Sequence, residues 1–483
     1  MGAHNDEGLG GRLSFSAEEV SLAEKCAVLG IYDVPEASRL AFYGLWALQH
    51  RGQESSGIVS ADNGYLYRHV APGLVSNAFH KEDLEQLPGD IAIGHNRYST
   101  SGASDGAHGQ PVLIRNTKFA LAHNGNFPVT TKLEKFLSDR AVSTREMNDS
   151  EMMTHVLSGL MEEGLDVDEA VKIAFPMLDG AFSCVAMTPK KMVAFRDHCG
   201  IRPLSIATLG DGYVVASETC AFDTLGAKFL RDIEPGEMVV FDEKGMHSYQ
   251  VVSGKQKLDI FEFVYFARPD SILLGQSVNE VRHNLGKELA KEWKLEADIV
   301  VPVPDSSIPA ALGFSQASGI PFEMAIIKNR YIHRTFIRPN NILRDQDFKM
   351  KLNPMPHVLK GKRVVLVDDS IVRGNTMRKI VKMLYRAGAK EVHVIVSSPP
   401  VLYPDFYGIN ISSQKELIAA HMTHSEIREH IGSDSLTYLS YAGMIRATNL
   451  PERMFSASCF NGIYPIKIGA NADAIEKVHF ART

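Results

Sequence analysis

"RVVLVDDSIVRGNTM", residues 363–377, decides how the second half of this chain folds. A β-branched apolar run ends in two carboxylates, Asp368 and Asp369. A loop of mostly small residues follows, Ser370 to Thr376, and then a helical pattern begins. Ligands of open α/β sheets lie beyond the carboxyl ends of the strands. There the loop N–H groups and the helix N-terminus suit a phosphate. Two adjacent acids at the same point suit ribose hydroxyls and Mg²⁺, a cation that takes oxygen ligands. Alone, the Asp pair could be a helix cap; strand, acids, loop and helix in register favour a ligand site.

The neighbouring sequence agrees. "VPVPDSSIPAA" (301–311) is a second strand end, opening through Ser306 and Ser307 into a helix, a seat suited to pyrophosphate. "KNRYIHRTFIRPNNILRDQDFKMKL" (328–352) carries seven Lys or Arg against two Asp. Nucleic-acid binding is the rival reading of such a run. Its place between two nucleotide-type strand ends favours a lid that closes on pyrophosphate. With the helices in "VNEVRHNLGKELAKEW", "SIPAALGFSQASG" and "TMRKIVKMLYRAG", the pattern predicts a doubly wound parallel α/β sheet over 256–483.

Upstream the texture changes. Short β-like runs ("DIAIGHNRYS", "KFALAHNGN", "GAFSCVAM", "KMVAFRD", "GYVVASE", "GEMVVFD") are separated by Gly, Asn and Asp turns. Helical stretches near 36–50 and 150–175 interrupt them. This predicts an antiparallel α+β domain over 26–255, joined to the second through a polar linker at 251–259. Residues 1–25 read as a polar lead-in without the basic start and apolar stretch of a signal peptide.

Composition sets the limits. The chain has 483 residues, enough for two or three domains, with 45% hydrophobic and 22% charged residues and a net charge of −6. Nothing in that balance argues for nucleic acid or a membrane surface, and no run of about 18 apolar residues occurs. The five cysteines (Cys26, Cys184, Cys199, Cys220, Cys459) never form CxxC, which argues against a disulfide framework or zinc site and fits a reducing cytoplasm.

Cys26 heads the apolar run "CAVLGIYD", and a lone cysteine there reads first as a core thiol. After it come "LWALQHRGQESSGI" (45–58), "GHNRYSTSG" (94–102), "LAHNGN" (121–126) and "NDSE" (148–151). Together these resemble the glutaminase domain of the N-terminal-nucleophile amidotransferases, which implies an αββα fold. Cleaving a glutamine amide needs a nucleophile, a base and donors for the oxyanion. The resemblance implies that Cys26 attacks and that its own α-amine moves the proton. It assigns the oxyanion hole to Asn124 and Gly125, the glutamine α-carboxylate to Arg97 and its α-ammonium to Asp149. Tyr98 would lie in the closing loop; His95 and His123 are left as structural. An acylated α-nitrogen is not basic, so residues 1–25 are expected to be a propeptide removed before Cys26.

Residues 363–377 in turn resemble the signature of phosphoribosyltransferases that use phosphoribosyl pyrophosphate (PRPP). By that resemblance Asp368 and Asp369 bind ribose and, with Ser306, one Mg²⁺. Ser370, Ile371, Val372, Arg373, Gly374, Asn375 and Thr376 cradle the 5-phosphate, and Lys328, Arg330 and Tyr331 of the lid join the PRPP site. A glutaminase followed by such a site resembles the amidophosphoribosyltransferase family, a likeness running from Cys26 to about residue 470 and including "FEFVYFARPDS" (261–271) and "FYGI" (406–409). It implies glutamine and PRPP as substrates, 5-phosphoribosylamine, glutamate and pyrophosphate as products, and commitment of PRPP to purine synthesis. It also implies inhibition by purine nucleotides and a homotetramer.

Departures matter too. Members of the family that carry an iron–sulfur cluster use four cysteines, whereas this chain has Asp259, Asp405 and "SASC" (456–459) at the matching places. One thiolate, Cys459, cannot hold a cluster, so none is expected. His333 replaces the usual lid glycine and Asn375 a usual threonine. The alternatives are a glutamine–fructose-6-phosphate aminotransferase, which would lack "VLVDDSIVRGNT", a nucleotide-sensing regulator, which has no need of Cys26, and a paralogue retaining glutaminase activity alone.

Overall fold

Strands that alternate between two buried faces shape the first half. The computed structural model describes residues 26–98, 108–329, 351–409, 413–476, 478 and 480. The lead-in 1–25 and the lid residues Arg330, Tyr331 and His333 lie outside the described residues. The strands are β1 (Ala27–Tyr32), β2 (Ser55–Asp62), β3 (Tyr65–Pro72), β4 (Ile91–Arg97), β5 (Val112–Ile114), β6 (Phe119–Val129) and β7 (Asp179–Met187). They continue with β8 (Met192–Arg196), β9 (Ser205–Leu209), β10 (Gly212–Ala216), β11 (Lys228–Asp232), β12 (Glu237–Asp242) and β13 (Gly245–Gln250). One antiparallel sheet runs β11-β9-β10-β1-β4-β2-β3 and the other β13-β12-β8-β7-β6-β5.

The sheets face each other across Val28, Val59, Ile93, Ala122, Val185, Met192, Val215 and Phe241. Gly30 is required there: a Cβ on it would stand 2.6 Å from the Met192 sulfur. The alternate residues Ala27, Leu29 and Ile31 face outward, under α1 (Ala37–Ala47). The second sheet's outer face lies under α2 (Asp149–Glu162) and α3 (Val167–Ala174). The layers are therefore αββα, as expected. The stretch 150–175 is two helices rather than one, because Gly164 at φ +96° ends the first and Asp166 caps the second.

In the second half, β14 (Ile299–Pro302), β15 (Arg363–Asp368), β16 (Glu391–Val396) and β17 (Ser435–Tyr438) form a parallel sheet in that order. After β14 the chain passes through α4 (Ile308–Ser318) and returns to the other side of β14, where Phe322 bridges Val300 in parallel. Strand order thus reverses between β14 and β15, as a doubly wound sheet requires. Val365 and Val367 pack on one face with α4, while Val364 and Leu366 pack on the other with α5 (Asn375–Arg386).

The expected linker is not a free tether. Lys255, Lys257 and Asp259 donate their backbone N–H groups to His198, Cys199 and Ile201, and Leu258–Asp259 pairs in parallel with Phe455–Ser456. Beside this seam a fully buried ionic cluster joins the halves. Arg51 meets Glu218 and Glu262, and Arg202 meets Glu262 at 3.2 Å and Asp259 at 3.3 Å. Burial, opposed by Arg202 and reinforced by Asp405, pushes Asp259 up to about 8.

An acid whose folded pKa is raised binds a proton that the unfolded chain has already lost. Its stabilisation is complete at low pH and is lost as pH rises through the folded value. Urea unfolding between pH 5 and 9 should therefore show Asp259→Asn gaining stability relative to the parent chain as pH rises.

Candidate functional site

Register brings the glutaminase residues together. Ala27 is paired with Asn96, so Cys26 and Arg97 stand one residue further along their two strands, at the same end of the sheet. Cys26 is a half-buried cysteine that forms no disulfide among the described residues. Arg97 donates through Nη1 to the carbonyl of His108. The ring of His108 meets Glu151 at 2.9 Å, tying the Arg97 region to the start of α2.

Asn124 and Gly125 lie in β6, opposite Ser183 and Phe182 of β7. Asn124 Nδ2 is buried with no hydrogen-bond partner among the described residues. A buried donor of this kind suits a ligand acceptor. Gly125 sits at φ +150°, and a Cβ on it would fall 2.0 Å from the Ala181 carbonyl oxygen. Only glycine fits. Asp149 is the first residue of α2, and its carboxylate accepts from Phe127 N at 3.1 Å and Ser150 N at 2.8 Å. Those bonds fix it one turn of chain from Gly125. Tyr98 follows β4 and is partly buried.

The two histidines knit the walls. His95 Nε2 lies 3.0 Å from the carbonyl oxygen of His123, bridging the sheets. His123 Nδ1 meets Ser150 Oγ at 2.9 Å. Burial, helped by Arg97, pushes His95 down to about 3, and burial also lowers His123. Both are neutral supports, in keeping with the structural role expected of them.

The second candidate site lies at the order reversal, at the ends of β14 and β15. Ser306 Oγ donates to Asp369 at 2.5 Å and Ser307 Oγ to Asp368 at 3.2 Å. Desolvation and the neighbouring charge of Asp369 raise Asp368 well above the usual carboxylate range. Oxygen donors that repel one another suit a hard divalent cation. Ser370 Oγ donates to Asp369 at 2.7 Å. Gly374, at φ +76°, turns the loop into α5, so the N–H groups of a 12-residue helix open on the loop; Asn375 and Thr376 are exposed at its start.

The side chains of Ile371 and Val372 enter the two cores, and the Val372 carbonyl accepts from Ile418 N at 2.9 Å, which anchors this part of the loop. Arg373 turns away to pair with Glu416 at 2.5 Å. Lys328 pairs with Asp305 at 3.1 Å, beside Ser306.

The positions matched to iron–sulfur ligands do converge, but around a cation. Arg202 Nη2 lies 3.9 Å from Asp405, whose other oxygen is 3.9 Å from Cys459 Sγ. Burial and Asp405 raise the Cys459 thiol well above its ordinary value, the reverse of what a thiolate ligand needs. These residues do not suit a cluster. Sequence reasoning did not pick out Arg51, Arg202, Glu218 or Glu262, which lie far apart in the chain and form no local motif. It also passed over Ser307 as a partner of Asp368.

A glutamine amidotransferase domain family matches residues 95–224 and a phosphoribosyl transferase domain family residues 272–398. The amidophosphoribosyltransferase of Synechocystis is 47% identical over 92% of this chain and 92% of its own length. That of Bacillus subtilis is 45% identical over 94% of this chain and 96% of its own. The solved B. subtilis glutamine PRPP amidotransferase, complexed with ADP and GMP, superposes with a TM-score of 0.86 at 44% identity, covering 92% of this chain and 98% of that one. A structure described as the allosteric regulatory enzyme of purine biosynthesis gives 0.88 at 44% identity over 93% and 98%. With both halves matched and the likeness spanning nearly its whole length, the chain belongs to the amidophosphoribosyltransferase family.

Proposed function

We propose that the chain cleaves glutamine at Cys26 and uses the nitrogen to convert PRPP into 5-phosphoribosylamine, committing it to purine synthesis. The observation that carries the glutamine half is the Nδ2 of Asn124, buried beside Gly125 with no hydrogen-bond partner among the described residues. The Cys26 sulfur attacks the side-chain amide carbon as its thiol proton passes to the Cys26 α-amine, while Asn124 Nδ2 and the Gly125 N–H receive the oxyanion. The C–N bond breaks with a proton delivered from the Cys26 α-amine, releasing ammonia and leaving a thioester, which water hydrolyses to glutamate. Arg97 and Asp149 hold the two ends of the amino acid, and Tyr98 closes over it.

Ammonia passes inside the protein to the second site, because in bulk water it would be protonated and lose its lone pair. There it bonds to C1 of PRPP as the C1–oxygen bond to pyrophosphate breaks. Asp368 and Asp369 orient the ribose, and the backbone of Ser370 to Thr376 with the N-terminus of α5 receives the 5-phosphate. Lys328, Arg330 and Tyr331 cover the pyrophosphate. Asp368, Asp369 and Ser306 would hold one Mg²⁺, whose charge neutralises the departing pyrophosphate. No iron–sulfur cluster takes part.

The domains we assign are a removed propeptide at 1–25, a glutaminase at 26–255 and a transferase at 256–483. The ADP and GMP bound to the B. subtilis relative support inhibition by purine nucleotides; a cytoplasmic homotetramer is what the resemblance implies. Among the described residues no helix is long and apolar enough to cross a membrane. Nucleic acid has no part in the reading.

Asn124→Ala should lower glutamine-dependent kcat by about 10²–10³, and Cys26→Ala should abolish it. Both should leave synthesis from added ammonia intact, as measured by pyrophosphate release. Parallel loss of both activities would overturn the assignment. Intact-mass measurement of fully active enzyme should find a chain beginning at Cys26; full activity with Met1–Lys25 attached would exclude the α-amine as base.

A further inference from the structure

We infer that Glu262 is a positioning residue for glutamine cleavage: a single buried carboxylate from the transferase half holds both walls of the glutamine pocket. The inference rests on the assignment of that pocket to Cys26, Arg97, Asn124, Gly125 and Asp149.

Glu262 opens a π-helical turn, Glu262–Phe266. Such turns are rare and recur at functional sites. Its side chain is fully buried. Oε1 accepts from Arg202 Nη1 at 3.2 Å and from Arg51 Nη1 at 3.3 Å, and Oε2 accepts from Arg51 Nη2. The turn is itself pinned, since Arg282 donates to the carbonyls of Phe263 and Ala267 at 2.8 Å each.

Each arginine leads to one wall. Arg51 ends the short turn Gln49–Arg51, and the next residue, Gly52, lies flat on the backbone of Asn96 and Arg97. A Cβ on Gly52 would stand 2.6 Å from Asn96 C and 2.8 Å from Arg97 N. Glu54 N then donates to the Arg97 carbonyl at 3.0 Å. Arg51 therefore fixes the segment that fixes Arg97.

Arg202 reaches the oxyanion wall. Its carbonyl accepts from Ser183 Oγ at 3.0 Å, and Ser183 stands directly opposite Asn124. Its Nε donates to the Tyr407 carbonyl at 3.0 Å, while Asn126 Nδ2 donates to the adjacent Phe406 carbonyl at 2.8 Å. Gly408 completes the clamp; a Cβ on it would lie 3.5 Å from Gly125 C.

A merely structural ion pair would stabilise the fold without favouring either half-reaction. Buried guanidinium groups need their counter-charge, and removing one partner costs several kcal/mol. Glu218 still faces Arg51 and Asp259 still faces Arg202 when Glu262 is lost, but the carboxylate common to both guanidiniums is gone, so the Arg97 and Asn124–Gly125 walls loosen together. Among the described residues, neither arginine hydrogen-bonds or pairs with the ends of β14 and β15.

The test is Glu262→Gln in the full chain, an isosteric change that presents an amide N–H to a guanidinium. Glutamine-dependent kcat/KM should fall at least tenfold, with KM for glutamine raised, while ammonia-dependent pyrophosphate release stays within twofold. Equal loss of both activities, or no loss of either, would overturn the inference. If that variant does not fold, Arg51→Lys, which keeps the charge but loses the fork, should give the same split at smaller size; an unsplit result overturns the proposal equally. Cys26→Ala is the control. If it still uses glutamine, the pocket assignment has failed. If it behaves as expected and Glu262→Gln shows no split, Glu262 alone has failed.

Discussion

One buried contact ties the segments around the glutamine pocket to the second half of the chain: the Glu262 carboxylate shared by Arg51 and Arg202. Charges taken out of water are tolerated only when their partners are fixed in place. Arg51 and Arg202 belong to the glutaminase half and Glu262 to the transferase half, so neither half is electrostatically complete alone. Glu218 extends the cluster toward Ser271, and Asp259 and Asp405 extend it toward the seam with Phe455–Ser456. The two activities therefore sit on one body.

Each site uses a different backbone device. The glutaminase pocket takes the ends of facing antiparallel sheets, where β-register sets Cys26 beside Arg97 and a glycine at positive φ lets the chain bend past Ala181. The transferase site takes the point where parallel strand order reverses, leaving a crevice between two carboxyl ends. Close helix packing supports the second device. A Cβ on Gly286 would stand 1.8 Å from the Ala310 carbonyl oxygen, so the Val278–Glu292 helix lies directly on α4, which begins just after Ser307.

Much of this was legible in the sequence, for physical reasons. "VLVDDSIVRGNT" is local: strand, acids, loop and helix follow one another, and the fold places them where they read. The short β-like runs indicated antiparallel α+β layers, and the αββα order came from the glutaminase resemblance. The roles of Cys26, Arg97, Asn124, Gly125 and Asp149 came through the resemblance of their motifs to a glutaminase; register puts Cys26 and Arg97 at the same end of one sheet, and Asp149 bonds Phe127 two residues beyond Gly125. The ionic cluster was not legible, since Arg51, Arg202, Glu218 and Glu262 meet only through tertiary folding. Nor was the strap at 255–259, where a polar composition suggested a tether but backbone hydrogen bonds weld it to 198–201. The substitutions Asp259 and Asp405 were visible as departures; that they gather round Arg202 was not.

Nitrogen released at Cys26 should be consumed at the Asp368–Asp369 site of the same molecule. This transfer is tested most directly by measuring glutamate and pyrophosphate together, with glutamine, PRPP and Mg²⁺ present and an enzyme that removes free ammonia from solution. The account predicts one pyrophosphate per glutamate, unchanged by the scavenger. Glutamate release that continues while the scavenger suppresses pyrophosphate would contradict it.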